Sequence, residues 1–224
     1  MTERLWNILV ESFPKMLEYG LKVTIPLTVL SFALAIMVAL LVALIQYARV
    51  KVLRQICRFY IWITRGTPLL VQLYIVFYGL PKVGIVLDAF PAAVLVLGLN
   101  EAAYMAETIR GTLESVSTGQ LEAGYCVGMT WPKIIRHVVL PQAMGTAFPA
   151  LSNSMISMLK ETSMAATITV MEMFRQAQVI NGRVYEPLAL YVEAAVIYLI
   201  FCTILTWVQH RGEKRLSSYG GARA

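Results

Sequence analysis

The sequence predicts an all-α integral membrane protein with five transmembrane helices and a polar helix-turn-helix loop between the third and the fourth. Two observations lead there. The 224 residues are 58% hydrophobic and 14% charged, against about 25% charged in soluble domains, and the charges are absent from long blocks, as a hydrocarbon environment demands. The longest polar interruption between those blocks, Thr112 to Pro141, reads as two short helices with a sharp turn. The length suits one domain, residues 1–224. The net charge of +6 does not indicate nucleic acid, because the basic residues sit at the edges of apolar runs, where orientation signals lie. Cys57, Cys126 and Cys202 lack metal-ligand spacing and suit small packing roles. No cleavable signal is expected, since residues 1–20 carry Glu3, Glu11 and Glu18 and no small-residue cleavage site.

Taken in order, residues 1–20 put Trp6, Leu9, Phe13, Met16 and Leu17 on one helical face, which predicts an interfacial helix on the bilayer. The first span, 21–46, is apolar throughout, with Ser31, Ala35, Ala39 and Ala43 forming a small-residue seam for close helix packing. A basic run, Arg49, Lys51, Arg54 and Arg58, follows it and leads into the second span, 57–78, which Arg65-Gly66-Thr67-Pro68 should bend or restart. Gly79 to Phe90 is expected as a short loop; its Gly79-to-Gly84 spacing lacks the Lys-Ser/Thr of a phosphate loop. The third span, 91–111, has a small face, Gly98, Ala102 and Ala106, opposite a polar one, Asn100, Tyr104 and Glu107, with Glu101 and Thr108 beside it. A charge at bilayer depth costs roughly 2.5–3.5 kcal/mol, so both glutamates must face protein or water. For Glu107 the favoured reading is a packing partner of Arg110; for Glu101, packing and a substrate role both stand.

Within the 112–141 loop, Ser117 with Gln120 reads as a capping box, and Gly128 stands where a helix ends in the left-handed conformation. Thr130 and Pro132 then open a second helix, which Pro141 closes. The first of these helices should expose Leu121, Tyr125 and Met129. The fourth span, 142–163, is kinked at Pro149 and aligns Asn153, Ser157 and Lys160, and Lys160 to Gln178 emerges as a loop or partial helix. The fifth span is 188–207, with Glu193 in its first third. Five spans separate the termini. With the C-terminus and the 112–141 loop on one side, that side holds twelve Lys and Arg and the other holds seven. The bias therefore places loop and C-terminus in the cytoplasm and the N-terminus outside.

Glu122-Ala123-Gly124, three residues, Gly128, nine residues, Val138, one residue, Leu140-Pro141 resembles the EAA loop of bacterial ABC-importer permeases, with Gly124 replacing an alanine and Val138 an isoleucine. A second Glu-Ala-Ala, at Glu101 to Ala103, lies inside a span and lacks the downstream pattern. The resemblance extends to Arg65-Gly66-Thr67-Pro68, the Ala103-Tyr104 region with Glu107, and Lys160 to Ser163, as in permeases of polar amino-acid importers of the histidine, glutamine and cystine type. Ala165 to Ile168 and Phe174 to Gln178 are worded like the cystine branch. It implies a type I ABC importer permease in the bacterial cytoplasmic membrane, not itself an enzyme and holding no cofactor. ATP and Mg would sit on separate cytoplasmic ATPase subunits. A second permease copy or a paralogue and an extracytoplasmic amino-acid-binding protein complete the machine. The coupling helix would present Leu121, Glu122, Ala123, Gly124, Tyr125, Gly128 and Met129 to the ATPase.

From the residues alone, the polar groups clustered at membrane depth are Asn100, Glu101 and Tyr104 with Asn153, Ser157 and Lys160. An amino-acid zwitterion needs an acceptor for its ammonium and a donor for its carboxylate. Glu101 fits the first need, and the side-chain amides or Lys160 the second; Lys160 equally suits an outer gate pairing with Glu161. The competing classes are an ion-coupled secondary transporter, which would favour inverted repeats, and a non-transporting scaffold, which would not need polar faces on two spans.

Overall fold

In a computed structural model, residues 3–48 and 51–220 are described, with side chains through residue 214. Arg49 and Arg223 of the basic-residue count, and the side chain of Arg215, lie outside the described residues.

Ten α-helical elements follow one another: α1 (Glu3–Tyr19), α2 (Ile25–Tyr47), α3 (Lys51–Gly66), α4 (Leu69–Tyr74), α5 (Ala89–Ser115), α6 (Thr118–Cys126), α7 (Trp131–Ile134), α8 (Leu140–Glu161), α9 (Met173–Val184) and α10 (Pro187–Gly220). No strand occurs among the described residues. Several of these elements join into longer rods. A π turn, Gly20–Thr24, links α1 to α2, giving one helix from Glu3 to Tyr47. Another, Ile135–Val139, links α7 to α8, and a third, Ile75–Gly79, extends α4. Pro26, Pro81 and Pro141 each stand two residues beyond one of these turns. A proline inside a helix lacks an N–H and its ring presses on the carbonyl four residues back. Widening the preceding turn relieves that pressure without ending the helix.

This device corrects two expectations. Pro141 does not close a helix; the rod runs unbroken from Trp131 to Glu161. Residues 1–20 are not a separate interfacial helix. They continue directly into the first span, and of their apolar face Met16 is fully buried among Leu159, Met173, Leu190 and Phe201 while Trp6 and Phe13 stay exposed. Ser12 on the same face donates a hydrogen bond to the buried Glu193 of α10, so that carboxylate faces protein and not lipid.

By length and composition, three helices can cross a membrane: Glu3–Tyr47, Ala89–Ser115 and Pro187–Lys214. The expected second span is two pieces, broken at Thr67-Pro68. Gln72 repairs the break: its side-chain N–H groups donate to the carbonyls of Thr64 (2.8 Å) and Thr67 (3.1 Å), groups the end of a helix leaves without partners. Lys51, Arg54 and Arg58 of the basic run belong to α3, which starts ahead of the expected second span. Helical turns likewise continue to Val83, and only residues 84–88 are extended or turning. The 160–178 segment is more ordered than expected, with a 3-10 helix Thr162–Ile168 followed by α9. Glu172 caps α9, accepting from the backbone N–H groups of Phe174 (2.8 Å) and Arg175 (2.6 Å) and from the Tyr198 hydroxyl (2.9 Å).

The centre of the bundle is the α2–α5 pair. Ser31, Ala35, Ala39 and Ala43 are all fully buried against the α5 side that holds Gly98, Ala102 and Ala106. Small residues let two backbones approach closely where hydrocarbon supplies no hydrophobic drive between helices. At Gly98 the approach is closest, because a Cβ there would lie 2.8 Å from Leu34 Cδ2 and 3.0 Å from the Ser31 carbonyl oxygen. A carbonyl cannot step aside as a side-chain end can. Gly98→Ala should therefore destabilise the detergent-solubilised protein by about 1–3 kcal/mol, read as a lowered thermal midpoint. Gly111→Ala, where nothing lies within 4 Å, should not lower it.

Candidate functional site

Two features could carry function, a polar cleft midway along α5 and the short helix α6. The cleft encloses about 650 Å³ and lies between the α3–α4 break, α5 and α8, within the range of small-molecule sites. From α5 come Asn100, Glu101 and Tyr104; from α8, Asn153, Ser154, Ser157 and Glu161; from the break, Arg65 and Thr67. Five of the six residues expected on a substrate route meet here. The sixth, Lys160, does not line the cleft and is exposed. At about 100° per residue, the one-residue step to Glu161 carries the cavity-facing position away from it.

The cleft's geometry follows from its walls. Asn100 and Glu101 are 7% and 8% exposed. The Asn100 side-chain N–H donates to Gln72 Oε1 at 3.1 Å, so α5 is tied to the residue that holds the α3–α4 break together. Glu101 has the Ser154 hydroxyl beside it. Arg65, the last charged residue of α3, lays its guanidinium over the Tyr104 ring, 5.0 Å from the centroid, an attractive stack when water is scarce. The cleft thus presents carboxylates, one guanidinium, hydroxyls and amides around a space open on one flank.

Sequence reasoning missed Arg65, Ser154 and Glu161 as lining groups. For Arg65 the signal is in the sequence, since a lone basic residue placed where a span is interrupted marks a functional position. Glu107, by contrast, is where the packing reading put it: Arg110 Nη2 donates to it at 2.8 Å and Gln46 Nε2 at 3.1 Å.

The second feature is α6 and its turn. The chain leaves α6 through two reversed hydrogen bonds, Met129 N–H to the Gly124 carbonyl (3.0 Å) and Gly128 N–H to the Tyr125 carbonyl (2.9 Å). This is the Schellman arrangement, and it sets Gly128 at φ +77°, as expected. Ser117 is the N-cap residue but makes no side-chain capping bond, so the capping box supplied the helix start and not the reciprocal bonds. Leu121 and Met129 are half-buried, and each packs with part of its side chain against the main core. Gly124 is buried, and a Cβ there would lie 2.7 Å from Ile134 Cγ1. Its smallness therefore serves the contact with α7. Tyr125 is 52% exposed, and Glu122 and Ala123 are also exposed; these form the outward face.

A helical bundle with three helices able to cross a membrane, a polar cleft midway along α5 and a short exposed helix between the two helices that wall the cleft fits a transport permease. The chain belongs to the family of binding-protein-dependent transport system inner membrane components, which it matches over residues 34–218. It is 46% identical over 215 residues to the L-cystine transport system permease protein TcyB of Bacillus subtilis (strain 168), covering 96% of this chain and 92% of that one. The probable amino-acid permease protein YxeN of the same organism is 37% identical over 215 residues, covering 95% and 96%. Among solved structures, that of an amino acid ABC transporter with histidines superposes at TM-score 0.87 and 34% identity, over 96% of this chain and all of that one. The MetNI methionine ABC transporter in an inward-facing form, at 20% identity, TM-score 0.70 and 96% of this chain against 99% of that one, shares the fold. The fold is that of a type I ABC importer permease.

Proposed function

We propose that this chain is the membrane permease of an ABC importer for a polar amino acid, with cystine the substrate best supported, driven by ATP hydrolysed on separate cytoplasmic subunits. The observation that carries the reading is the cleft, where Glu101 and Arg65 stand on different walls of one small volume. A zwitterion needs both charges answered: Glu101 accepts from the ammonium, and Arg65 takes the carboxylate role first considered for Lys160. Cystine has two ammonium groups, and Glu161 supplies a second acceptor in the same cleft. The relatives named for cystine and amino-acid transport point the same way.

The exposed polar residues of the open flank, Arg65, Thr67 and Tyr104, are unsuited to lipid. They support a second permease, a copy or a paralogue, closing the cleft. On this reading five spans cross the membrane and α6 is the coupling helix that docks on the ATPase, while an extracytoplasmic binding protein delivers substrate. In liposomes holding permease, ATPase and binding protein, cystine uptake should require ATP and the ATPase subunit and survive collapse of ion gradients. Uptake that follows the gradients would replace this reading with ion coupling.

The topology follows from the basic-residue bias, with the C-terminus and α6 inside and the N-terminus outside. A reporter fused after Ala224 should be active only as a cytoplasmic fusion, and a tag at Asp88 should be reached by an impermeant label from outside. The reverse labelling pattern would overturn the topology.

A further inference from the structure

A second cavity, about 290 Å³, lies near the α6 end of the bundle between α2, α3 and α5, and apart from Arg65, which it shares with the cleft, the transport reading leaves its walls unused. Its walls are basic: Arg54, Arg58 and Arg65 from α3 and Arg110 from α5, with Glu107, Gln46 and Trp62 completing them. The charges do not balance. Glu107 is already taken by Arg110 and Gln46, and Arg110 has a second acidic partner in Glu114 at 2.7 Å. With Arg65 laid over Tyr104 in the cleft, that leaves Arg54 and Arg58 at the cavity with no carboxylate of their own there. Arg54 Nε is buried and lacks a hydrogen-bond acceptor, and an unanswered buried donor is costly. The site is built for an anion that the chain itself does not provide.

The shape of α3 says which kind. At about 100° per residue, Arg54, Arg58 and Arg65 form one stripe, and Val52, Phe59 and Ile63, all exposed, form a face on the far side of Trp62. Trp62, 70% exposed, stands on the border, with its ring centroid 5.9 Å from that of Phe59. A guanidinium cluster beside an exposed apolar face, joined by an aromatic at the boundary, matches a molecule with an anionic head and a hydrocarbon tail.

We propose that this cavity binds the phosphodiester headgroup of an anionic phospholipid, from the leaflet on the α6 side, with its acyl chain laid along the Val52–Phe59–Ile63 face of α3. The phosphate oxygens accept from the guanidinium groups of Arg54 and Arg58, while Trp62 covers the glycerol region.

The test uses the assembled transporter, purified and delipidated, with bound lipid counted by native mass spectrometry. Added phosphatidylglycerol should be retained in preference to phosphatidylcholine, and Arg54→Gln with Arg58→Gln should weaken that retention about thirtyfold. Arg58→Lys, which keeps the charge, should lose much less, which guards against a folding defect. Trp62→Leu should weaken retention of phosphatidylglycerol without changing the response to inorganic phosphate. Equal retention of the two lipids, or unchanged retention in the double variant, would overturn the proposal. So would displacement of the lipid by millimolar inorganic phosphate, since the site would then read only the anion. A cross-link from position 58 to the ATPase subunit with no lipid retained would assign the arginines to a protein contact instead.

Discussion

Glu101→Gln is expected to lower ATP-driven uptake about ten- to a hundredfold while leaving the permease assembled, because a hydrogen bond to a charged group is worth about 1.5–3 kcal/mol. The residue is 8% exposed, on α5, and faces the cleft with Ser154 beside it. Glutamine keeps the volume and the polar atoms and removes only the charge. An ammonium entering the cleft then loses its strongest acceptor, whereas the empty protein loses a buried charge that was expensive to keep. Stability should therefore hold or rise, which separates the substrate role from the packing role first weighed beside it. Arg65→Gln should show a comparable uptake defect through the carboxylate, with part of its effect on the Tyr104 ring it covers. Radiolabelled cystine uptake, against ATPase activity and binding-protein docking in the same liposomes, is the measurement. Normal kinetics in both variants would reduce the cleft to a packing defect between helices.

The parts of this fold legible in the sequence were those set by local chemistry. The seam Ser31, Ala35, Ala39 and Ala43 could be read because helix packing in lipid selects small residues at fixed spacing, and all four are buried on α5. Gly128 could be read because a left-handed residue favours glycine. The α3–α4 break could be read because Pro68 pushes Thr67 out of the helical region and lacks an N–H, with the flexible Gly66 just before. What escaped depends on partners far along the chain. Leu121 and Met129 match an outward stripe by periodicity, yet tertiary packing lays both partly against the core. Pro141 stops a helix by propensity, yet one π turn lets the rod continue. Lys160 shares the wheel position of Asn153 and Ser157 loosely enough that Glu161 faces the cleft instead.

The continuous rods give the two candidate features a mechanical relation that neither has alone. One cleft wall, α5, ends at Ser115, and α6 begins at Thr118. The other wall, α8, runs back through a π turn to Trp131, just beyond the Gly128 turn. The short helix is therefore held between the ends of the two helices that carry Glu101 and Asn153. Ile134 and Ile135, at the start of the second rod, are buried in the same core as Ala102, Ala106 and Ile109 of the first. A push on α6 reaches both walls through packed side chains and unbroken helix.

That relation makes the Gly128 turn the place where a single substitution should separate hydrolysis from transport. Gly128→Leu forces a side chain onto a residue at φ +77°, at about 1–2 kcal/mol of backbone strain. No atom lies within 4 Å of the position a Cβ would take, so no clash adds to that cost and the bundle should stay folded. Relieving the strain requires the Met129–Gly124 and Gly128–Tyr125 bonds to open, which changes the angle between α6 and the rod that begins at Trp131. The expected result is a permease that still inserts and still assembles with an ATPase that hydrolyses ATP, but with uptake reduced about tenfold. Gly128→Asn should retain most of the uptake, since asparagine enters the left-handed region at less cost than leucine. Docking is read separately, by a cysteine at the exposed Tyr125 cross-linked to the ATPase subunit, a position more accessible than the half-buried Leu121. A leucine variant that transports normally, or a fully active complex in which position 125 never cross-links, would remove α6 from the coupling role.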